Sequence, residues 1–327
     1  MDSEYPLLIK QILTKSSVMS FSQEIVSNPN VRLNYQEFTG RLGRLANSLT
    51  AMGISEKMRV GVMDWDTHRY LEYFFAVPMM GAVLHTINVR LSPKQVLYTI
   101  NHARPDLIIV HQDFMPLIEE LKLEFEREII IIPIGYGEKY EDWISSSSTS
   151  FNFPEFDENR TATLFYTTGT TGDPKGVTYS HRQLVLHTLG LLAGFGSFSG
   201  DSGLHRDDVY MPLTPLFHVH GWGFPYAATM LGLRQVYPNR YDPETILQLI
   251  DSEAVTFSHC VPTVLSMLLD HPNSKKVNLS RWKVIIGGSA LSKSLQSRAS
   301  EFGIRLHAAY GMSETCPFLT VADLSST

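Results

Sequence analysis

Short runs of β-branched residues alternate with amphipathic segments along this chain, and no other feature restricts its fold so strongly. Runs at 59–63, 106–110, 128–134, 163–167, 234–237, 255–258 and 283–286 have the length and composition of strands buried on both faces. Between them, segments 35–52, 92–102, 243–252 and 292–302 space their apolar residues at helical intervals, several opened by Ser or Asp followed by Pro or an acidic residue. A parallel strand pair needs a crossover, so this alternation builds βαβ units. The expected fold class is α/β, with two α/β subdomains whose mainly parallel sheets are flanked by helices. A chain of 327 residues, 43% of them hydrophobic, can bury cores of that size. Two polar stretches, the serine run at 145–150 and the Gly-, Ser- and Asp-rich 194–208, read as exposed loops. The serine run marks the expected boundary between approximate subdomains 1–150 and 151–327.

Charge and cysteine usage narrow the function. A formal net charge of −6 with no basic run argues against a nucleic-acid partner. Cys260 and Cys316 stand alone, without the second pair that a structural zinc site or a disulfide framework needs, which fits a reducing, cytoplasmic compartment. Asp2 and Glu4 occupy positions where a signal peptide carries positive charge. The longest nearly apolar stretch, 73–84, falls short of the ~20 residues that span a bilayer, so no transmembrane segment is expected and peripheral membrane contact stays open.

One segment carries a chemical statement in its composition. Tyr166-Thr167-Thr168-Gly169-Thr170-Thr171-Gly172-Asp173-Pro174-Lys175-Gly176-Val177 follows the strand-like 162–165. Its glycines let backbone N–H groups approach an anion, its threonines add hydroxyl donors, and Lys175 supplies a compact positive charge, a set suited to a polyphosphate. It is not a P-loop of the GxxxxGK[ST] type: Pro174 stands where the second glycine belongs and Gly176 follows the lysine. The segment resembles the phosphate-binding signature of the adenylate-forming superfamily of acyl-CoA synthetases, nonribosomal adenylation domains and luciferases. That resemblance implies that Thr167, Thr168, Gly169, Thr170, Thr171, Gly172 and Lys175 surround the phosphates of ATP, with Thr167 and Lys175 acting in catalysis.

Two later segments agree. Lys283-Val284-Ile285-Ile286-Gly287-Gly288-Ser289-Ala290 runs from a hydrophobic strand into a glycine pair and an expected helix start, leaving backbone open to a flat ring. Alone, such a pair is more often a structural turn. The resemblance implies that Gly288, Ser289 and Ala290 lie against the adenine or its ribose. His307-Ala308-Ala309-Tyr310-Gly311-Met312-Ser313-Glu314-Thr315 resembles the family's Tyr-Gly-x-Thr-Glu motif, with Ser313 replacing threonine but keeping the hydroxyl that would bond the α-phosphate. By the same resemblance Ala308, Ala309, Tyr310 and Gly311 contact the nucleotide, Tyr310 stacking on adenine, while catalytic Glu314 and Thr167 hold Mg²⁺.

Met211-Pro212-Leu213-Thr214-Pro215-Leu216-Phe217-His218-Val219-His220-Gly221-Trp222 mixes prolines, aromatics and small residues before the apolar, helix-like 224–233 and can wall a hydrophobic pocket. His218 and His220 would share one strand face, which invites a metal reading, but no third ligand lies nearby. The segment resembles the part of fatty acyl-CoA synthetases that implies His218 beside the substrate carboxylate, Val219 near both nucleotide and acyl group, and Trp222 as the gate of an acyl tunnel. A tryptophan that merely fills core space is the ordinary alternative. No aspartate in 224–233 offers itself to a substrate ammonium, which favours fatty over amino acids.

The resemblance extends to Asn88-Val89-Arg90-Leu91 and Cys260-Val261-Pro262-Thr263 and implies an acid-thiol ligase, a fatty acyl-CoA synthetase forming AMP, that uses ATP, Mg²⁺, a carboxylic acid and CoA. It further implies a truncated N-terminal AMP-binding domain, because complete members run well beyond residue 327 into a small lysine-bearing domain that is absent here. Whether the chain turns over alone is therefore open. An aryl-acid or amino-acid adenylating enzyme, and a non-catalytic nucleotide-binding fragment, are the alternatives; a homodimer stays open.

Overall fold

Parallel strands buried on both faces need helices above and below, and the chain meets that need twice. The computed structural model describes residues 5–13, 22–27, 31–135, 139–167 and 172–324. In chain order the strands are β1 (Glu24–Ser27), β2 (Val31–Asn34), β3 (Arg59–Met63), β4 (Val83–Thr86), β5 (Leu107–His111), β6 (Ile130–Ile134) and β7 (Thr161–Thr167). They continue with β8 (Lys175–Ser180), β9 (Val209–Pro212), β10 (Arg234–Tyr237), β11 (Phe257–Cys260), β12 (Lys283–Ile286), β13 (Arg305–Gly311) and β14 (Phe318–Asp323). A six-stranded sheet has the order β6-β5-β3-β4-β7-β8 and an eight-stranded sheet the order β14-β13-β12-β11-β9-β10-β1-β2. Pairing is parallel except where β1 meets β2, β7 meets β8 and β13 meets β14. The α/β class and the mainly parallel sheets are as the alternation requires.

Strands β3, β10 and β12 fall where the sequence puts them, and β5 and β11 are displaced by one or two residues. The expectation of burial on both faces holds for β5 and β12 but not for β6, an edge strand with only one of its five residues buried. Helix starts carry their caps: Ser92 and Gln95 form a capping box before Pro93–Ala103, while Asp242 and Ser292 cap Pro243–Ser252 and Lys293–Glu301. Among the described residues no helix is long and apolar enough to cross a membrane.

The chain divides into two compact units. The first comprises Met1–Thr14, Gln36–Trp65 and Arg69–Leu186, and carries the six-stranded sheet; the second comprises Lys15–Tyr35, Asp66–His68 and His187–Thr327, and carries the eight-stranded sheet. The expected boundary at residue 150 therefore lies inside the first unit. The serine run is not a linker, because it is tied to the helix Tyr35–Ala51. Asn47 Nδ2 donates to the Ser148 and Ser150 carbonyls (2.8 and 3.0 Å), and the Ser48 and Ser147 hydroxyls are 2.9 Å apart. At Gly43 the helix passes so close that a Cβ would stand 1.9 Å from the Thr149 carbonyl oxygen.

The second polar stretch also differs from an open loop. Its first residues complete the helix His181–Gly196, and Asp208 is buried, accepting from Lys283 Nζ, Thr256 Oγ1 and His205 N at 2.7 Å each. A buried carboxylate pays heavily for lost hydration unless it is paired and hydrogen-bonded, and here all three contacts answer that requirement.

Candidate functional site

Strands β9, β11, β12 and β13 are mutually parallel along β9-β11-β12-β13, so their carboxyl ends open on one edge of the second unit's sheet. Ligands of open α/β sheets gather at such edges. A cleft of about 330 Å³ lies there, lined by residues that follow each strand: His218, Val219 and Trp222 after β9, Val261 after β11, Gly287 and Gly288 after β12, and Ala309 to Ser313 around the end of β13. Of the residues expected to bind nucleotide or acid, His218, Val219, Trp222, Gly288, Ala309, Tyr310, Gly311 and Ser313 line this cleft together. Ser289, Ala290, Ala308 and Glu314 do not.

The segment after β9 has an unusual backbone. Val219, His220, Gly221, Trp222 and Gly223 all have positive φ, from 45° to 77°, which makes a left-handed turn. L-residues resist this by ~1–2 kcal/mol each, a β-branched valine most of all, whereas the two glycines adopt it freely. The turn is held by Gly221 N donating to the His218 carbonyl (3.1 Å), by Gly223 N donating to the His220 carbonyl (3.1 Å), and by Asp66 Oδ1 accepting from Leu216 N (3.0 Å) just upstream. His218 and His220 consequently do not share a strand face. His218 lines the cleft, while His220 is buried and its imidazole is pushed down to about 3 by burial, with His187 and His218 adding to the effect.

This turn lays the Trp222 indole over the glycine pair. A Cβ on Gly287 would stand 3.2 Å from Trp222 Cη2 and 3.2 Å from the Ala309 carbonyl oxygen, and Gly288 has φ 79°. Position 288 thus favours glycine by its backbone, and a side chain at Gly287 would press on Trp222 and on the next strand. The expected helix start at 289–290 is displaced: the helix begins at Lys293 behind its Ser292 cap, so Ser289 and Ala290 belong to an exposed connection.

After β13 the chain reverses tightly. A Cβ at Gly311 would stand 1.7 Å from the Pro317 carbonyl oxygen, and Thr315 Oγ1 accepts from Met312 N at 3.0 Å inside the same reversal. The reversal leaves Tyr310 62% exposed at the lip of the cleft, an apolar ring without a protein face to cover it. Glu314 is exposed and makes no hydrogen bond or ion pair among the described residues, so its carboxylate is available to a hard cation that keeps most of its water.

Beside the cleft lies a second cavity of about 430 Å³, walled by helix residues including Leu191 and Phe195, by Phe198, and by the first residues of β14. Phe318 lines both spaces and meets Trp222 edge to face (centroids 5.7 Å apart, 88° between planes), so these two rings form the partition. The apolar run 224–233 lines neither space. Phe224 instead packs in the core against Phe257 and His259, 5.3 and 4.9 Å between centroids. His259 is held below its ordinary range, at about 3, by burial, and its Nε2 is 2.8 Å from the Tyr210 hydroxyl.

In the first unit, β7 and β8 form a hairpin in which Thr167 pairs with Lys175. Thr168, Gly169, Thr170 and Thr171 lie outside the described residues; Gly172, on the return, has φ 102°, and Lys175 is exposed. Thr167 belongs to the first unit and Glu314 to the second. Among the described residues no cluster of three His, Cys, Asp or Glu could hold a metal, and Cys260 and Cys316 are both free thiols.

Comparison with known proteins gives this arrangement its family. The model of the AMP-binding enzyme family matches residues 17–327. A long-chain-fatty-acid–CoA ligase of Thermus thermophilus is 37% identical over 97% of this chain and 59% of its own length. A 3-methylmercaptopropionyl-CoA ligase of Ruegeria lacuscaerulensis is 36% identical over 96% of the chain and 61% of its own. Among solved structures, the N-terminal domain of FACL13 from Mycobacterium tuberculosis has the same fold, with a TM-score of 0.85 at 20% identity over 96% of this chain and 78% of that one. The chain belongs to the AMP-binding enzyme family, and it spans about three fifths of the curated relatives it matches (59% and 61%).

Several lining residues escaped the sequence reading. Gly287, Val261, Met312 and Pro317 sat inside or beside recognised motifs without an assigned role, and Phe318 lies three positions past the last motif residue. The helix His181–Gly196 carried a usable signal, since its apolar residues Leu184, Val185, Leu191, Leu192 and Phe195 share the segment with glycines Gly190, Gly194 and Gly196, and small residues beside large ones leave space.

Proposed function

We propose that this chain carries the nucleotide- and acid-binding part of an ATP- and Mg²⁺-dependent fatty acyl-CoA synthetase. The supporting observation is the pair of spaces divided by Trp222 and Phe318: an open cleft with an uncovered tyrosine ring, and beside it an apolar cavity with room for an alkyl chain. The cleft takes the adenosine, with Tyr310 and the Gly287-Gly288 backbone against the flat base and the Ser313 hydroxyl toward the α-phosphate. The cavity takes the chain of a fatty acid whose carboxylate sits near His218 and Val219, and Trp222 is the gate between them. The Thr167–Lys175 hairpin of the first unit, with Thr168, Gly169, Thr170, Thr171 and Gly172 between, supplies donors and a positive charge for the polyphosphate tail.

Thr167 and Glu314 are the residues that would hold Mg²⁺, which supplies neutralisation of charge on the phosphoryl oxygens when bound. An ionised carboxylate is already a nucleophile and needs no general base. Its oxygen forms a bond to the α-phosphorus as the bond to pyrophosphate breaks; in the second half, a CoA thiolate forms the thioester as AMP leaves. What falls to the protein is aligning two anions and presenting donors where charge grows, each well-placed donor contributing ~3–4 kcal/mol. The relatives named for long-chain fatty acid and 3-methylmercaptopropionyl ligation support an acid of alkyl character, and a cytoplasmic protein with no nucleic-acid partner fits this reading.

The test is pyrophosphate exchange on the full-length protein with fatty, aryl and amino acids offered in parallel. Exchange driven by fatty acids is expected; exchange with amino acids alone overturns the proposal.

A further inference from the structure

The hairpin that offers Thr167 and Lys175 has a second face. Thr167 and Lys175 form one cross-strand pair and Tyr166 and Gly176 the next. Successive strand residues point to opposite sides, so Tyr166 turns away from the face bearing Thr167 and Lys175. There its ring is 4% exposed and packs with Val83, Ala103 and Leu164. Its hydroxyl lies 2.7 Å from Nδ1 of His102, in the last turn of the helix Pro93–Ala103. The His102 ring stacks on Tyr98 one turn earlier, 5.7 Å between centroids and 18° between planes. Gly176 keeps the hairpin close to this cluster: a Cβ there would stand 3.4 Å from the Tyr166 ring and 3.3 Å from Leu164 Cδ1.

We infer that His102 is a positioning residue for the nucleotide's phosphates, acting through its hydrogen bond to the Tyr166 hydroxyl. The bond ties the end of a packed helix to β7 one residue before Thr167, and so fixes the root from which Thr167 and Lys175 present their polar atoms. A root held before binding spares the ligand the cost of ordering it. The inference rests on the proposed role of the hairpin as the seat of the polyphosphate tail. His102 is itself exposed, so water competes for the bond and the effect is modest.

The experiment is calorimetric titration of the chain with ATP·Mg²⁺ and, separately, with AMP, for the unaltered protein, Tyr166→Phe, His102→Leu, the double variant and His102→Gln. A neutral hydrogen bond of ordinary strength predicts that Tyr166→Phe and His102→Leu each weaken ATP binding about fivefold. The double variant should be no weaker than either single one, and AMP, which lacks the tail, should bind all of them equally. His102→Gln, whose side-chain amide can replace the imidazole nitrogen, should recover most of the loss. ATP and AMP affinities that fall together, or ATP affinity that does not fall, overturn the inference. An unaltered chain that binds no ATP overturns the reading beneath it instead, and the two failures are thus told apart.

Discussion

The same four parallel strands, β9, β11, β12 and β13, begin and end in opposite environments. At their amino ends, Asp208 and Thr256 precede β9 and β11 while Lys283 and Arg305 open β12 and β13. Lys283 Nζ donates to Asp208 Oδ2 (2.7 Å) and to the Gly203 carbonyl (2.8 Å), with both charged groups buried. At their carboxyl ends the backbone takes five successive positive φ angles, Gly288 has φ 79° and Gly311 leaves no room for a Cβ, and an aromatic ring and a carboxylate face solvent without partners among the described residues. One end is satisfied by the protein itself; the other leaves interactions for a ligand to make. Strain and unmet contacts persist only where surrounding structure holds them, so the closed end and the open end are two halves of one design.

The comparison breaks first at the closed end. Lys283→Met strands the buried Asp208 carboxylate and should cost about 3–5 kcal/mol of stability, read as a shift in the urea unfolding midpoint, with ATP affinity of the folded protein unchanged. A loss of affinity at intact stability would show that the two ends are not separate. Gly311→Ala attacks the open end, because its Cβ must displace the Pro317 carbonyl. Forcing that backbone shift should cost about 1–3 kcal/mol, expressed mainly as weakened AMP binding in calorimetry. Trp222→Ala joins the cleft to its neighbouring cavity and should alter fatty-acid affinity by about tenfold at some chain lengths and little at others, the size of a change in one hydrophobic pocket contact. Equal affinity changes across all lengths would remove the gate.

A further prediction concerns pH. His220 and His259 are held neutral by burial, each at about 3 against an ordinary 6.5. Below pH 6.5 the unfolded chain takes up protons that the folded chain refuses, so stability is full above that value and declines as pH falls toward 3. The slope contributed by one such imidazole is at most about 1.4 kcal/mol per pH unit. His259→Gln, which can keep a partner for the Tyr210 hydroxyl, should flatten the decline by one such share; an unchanged slope in urea titrations between pH 7 and 4 would refute the assignment.

Legibility in the sequence followed the same division. Strands β3, β10 and β12 were readable because their β-branched runs lie between punctuating residues, and the Gly287-Gly288 pair and the Tyr310-Gly311 turn were readable because composition there answers to backbone geometry. Strand β8 is mostly polar, so no hydrophobic period marks it. The left-handed turn was hidden, since Val219 and Trp222 give no local sign of a conformation imposed by Asp66 and by contacts from distant strands. Phe318 was hidden for a related reason: a cavity belongs to several segments at once. The serine run misled because serine composition describes solubility, whereas its carbonyls are bound by Asn47.

Amide hydrogen exchange of the chain with and without ATP·Mg²⁺ separates the two ends in a single experiment. Protection is predicted at 287–290 and 309–313, with exchange at 201–208 and 280–283 unchanged. Protection confined to the amino ends of the strands, or none at the carboxyl ends at saturating nucleotide, would contradict it.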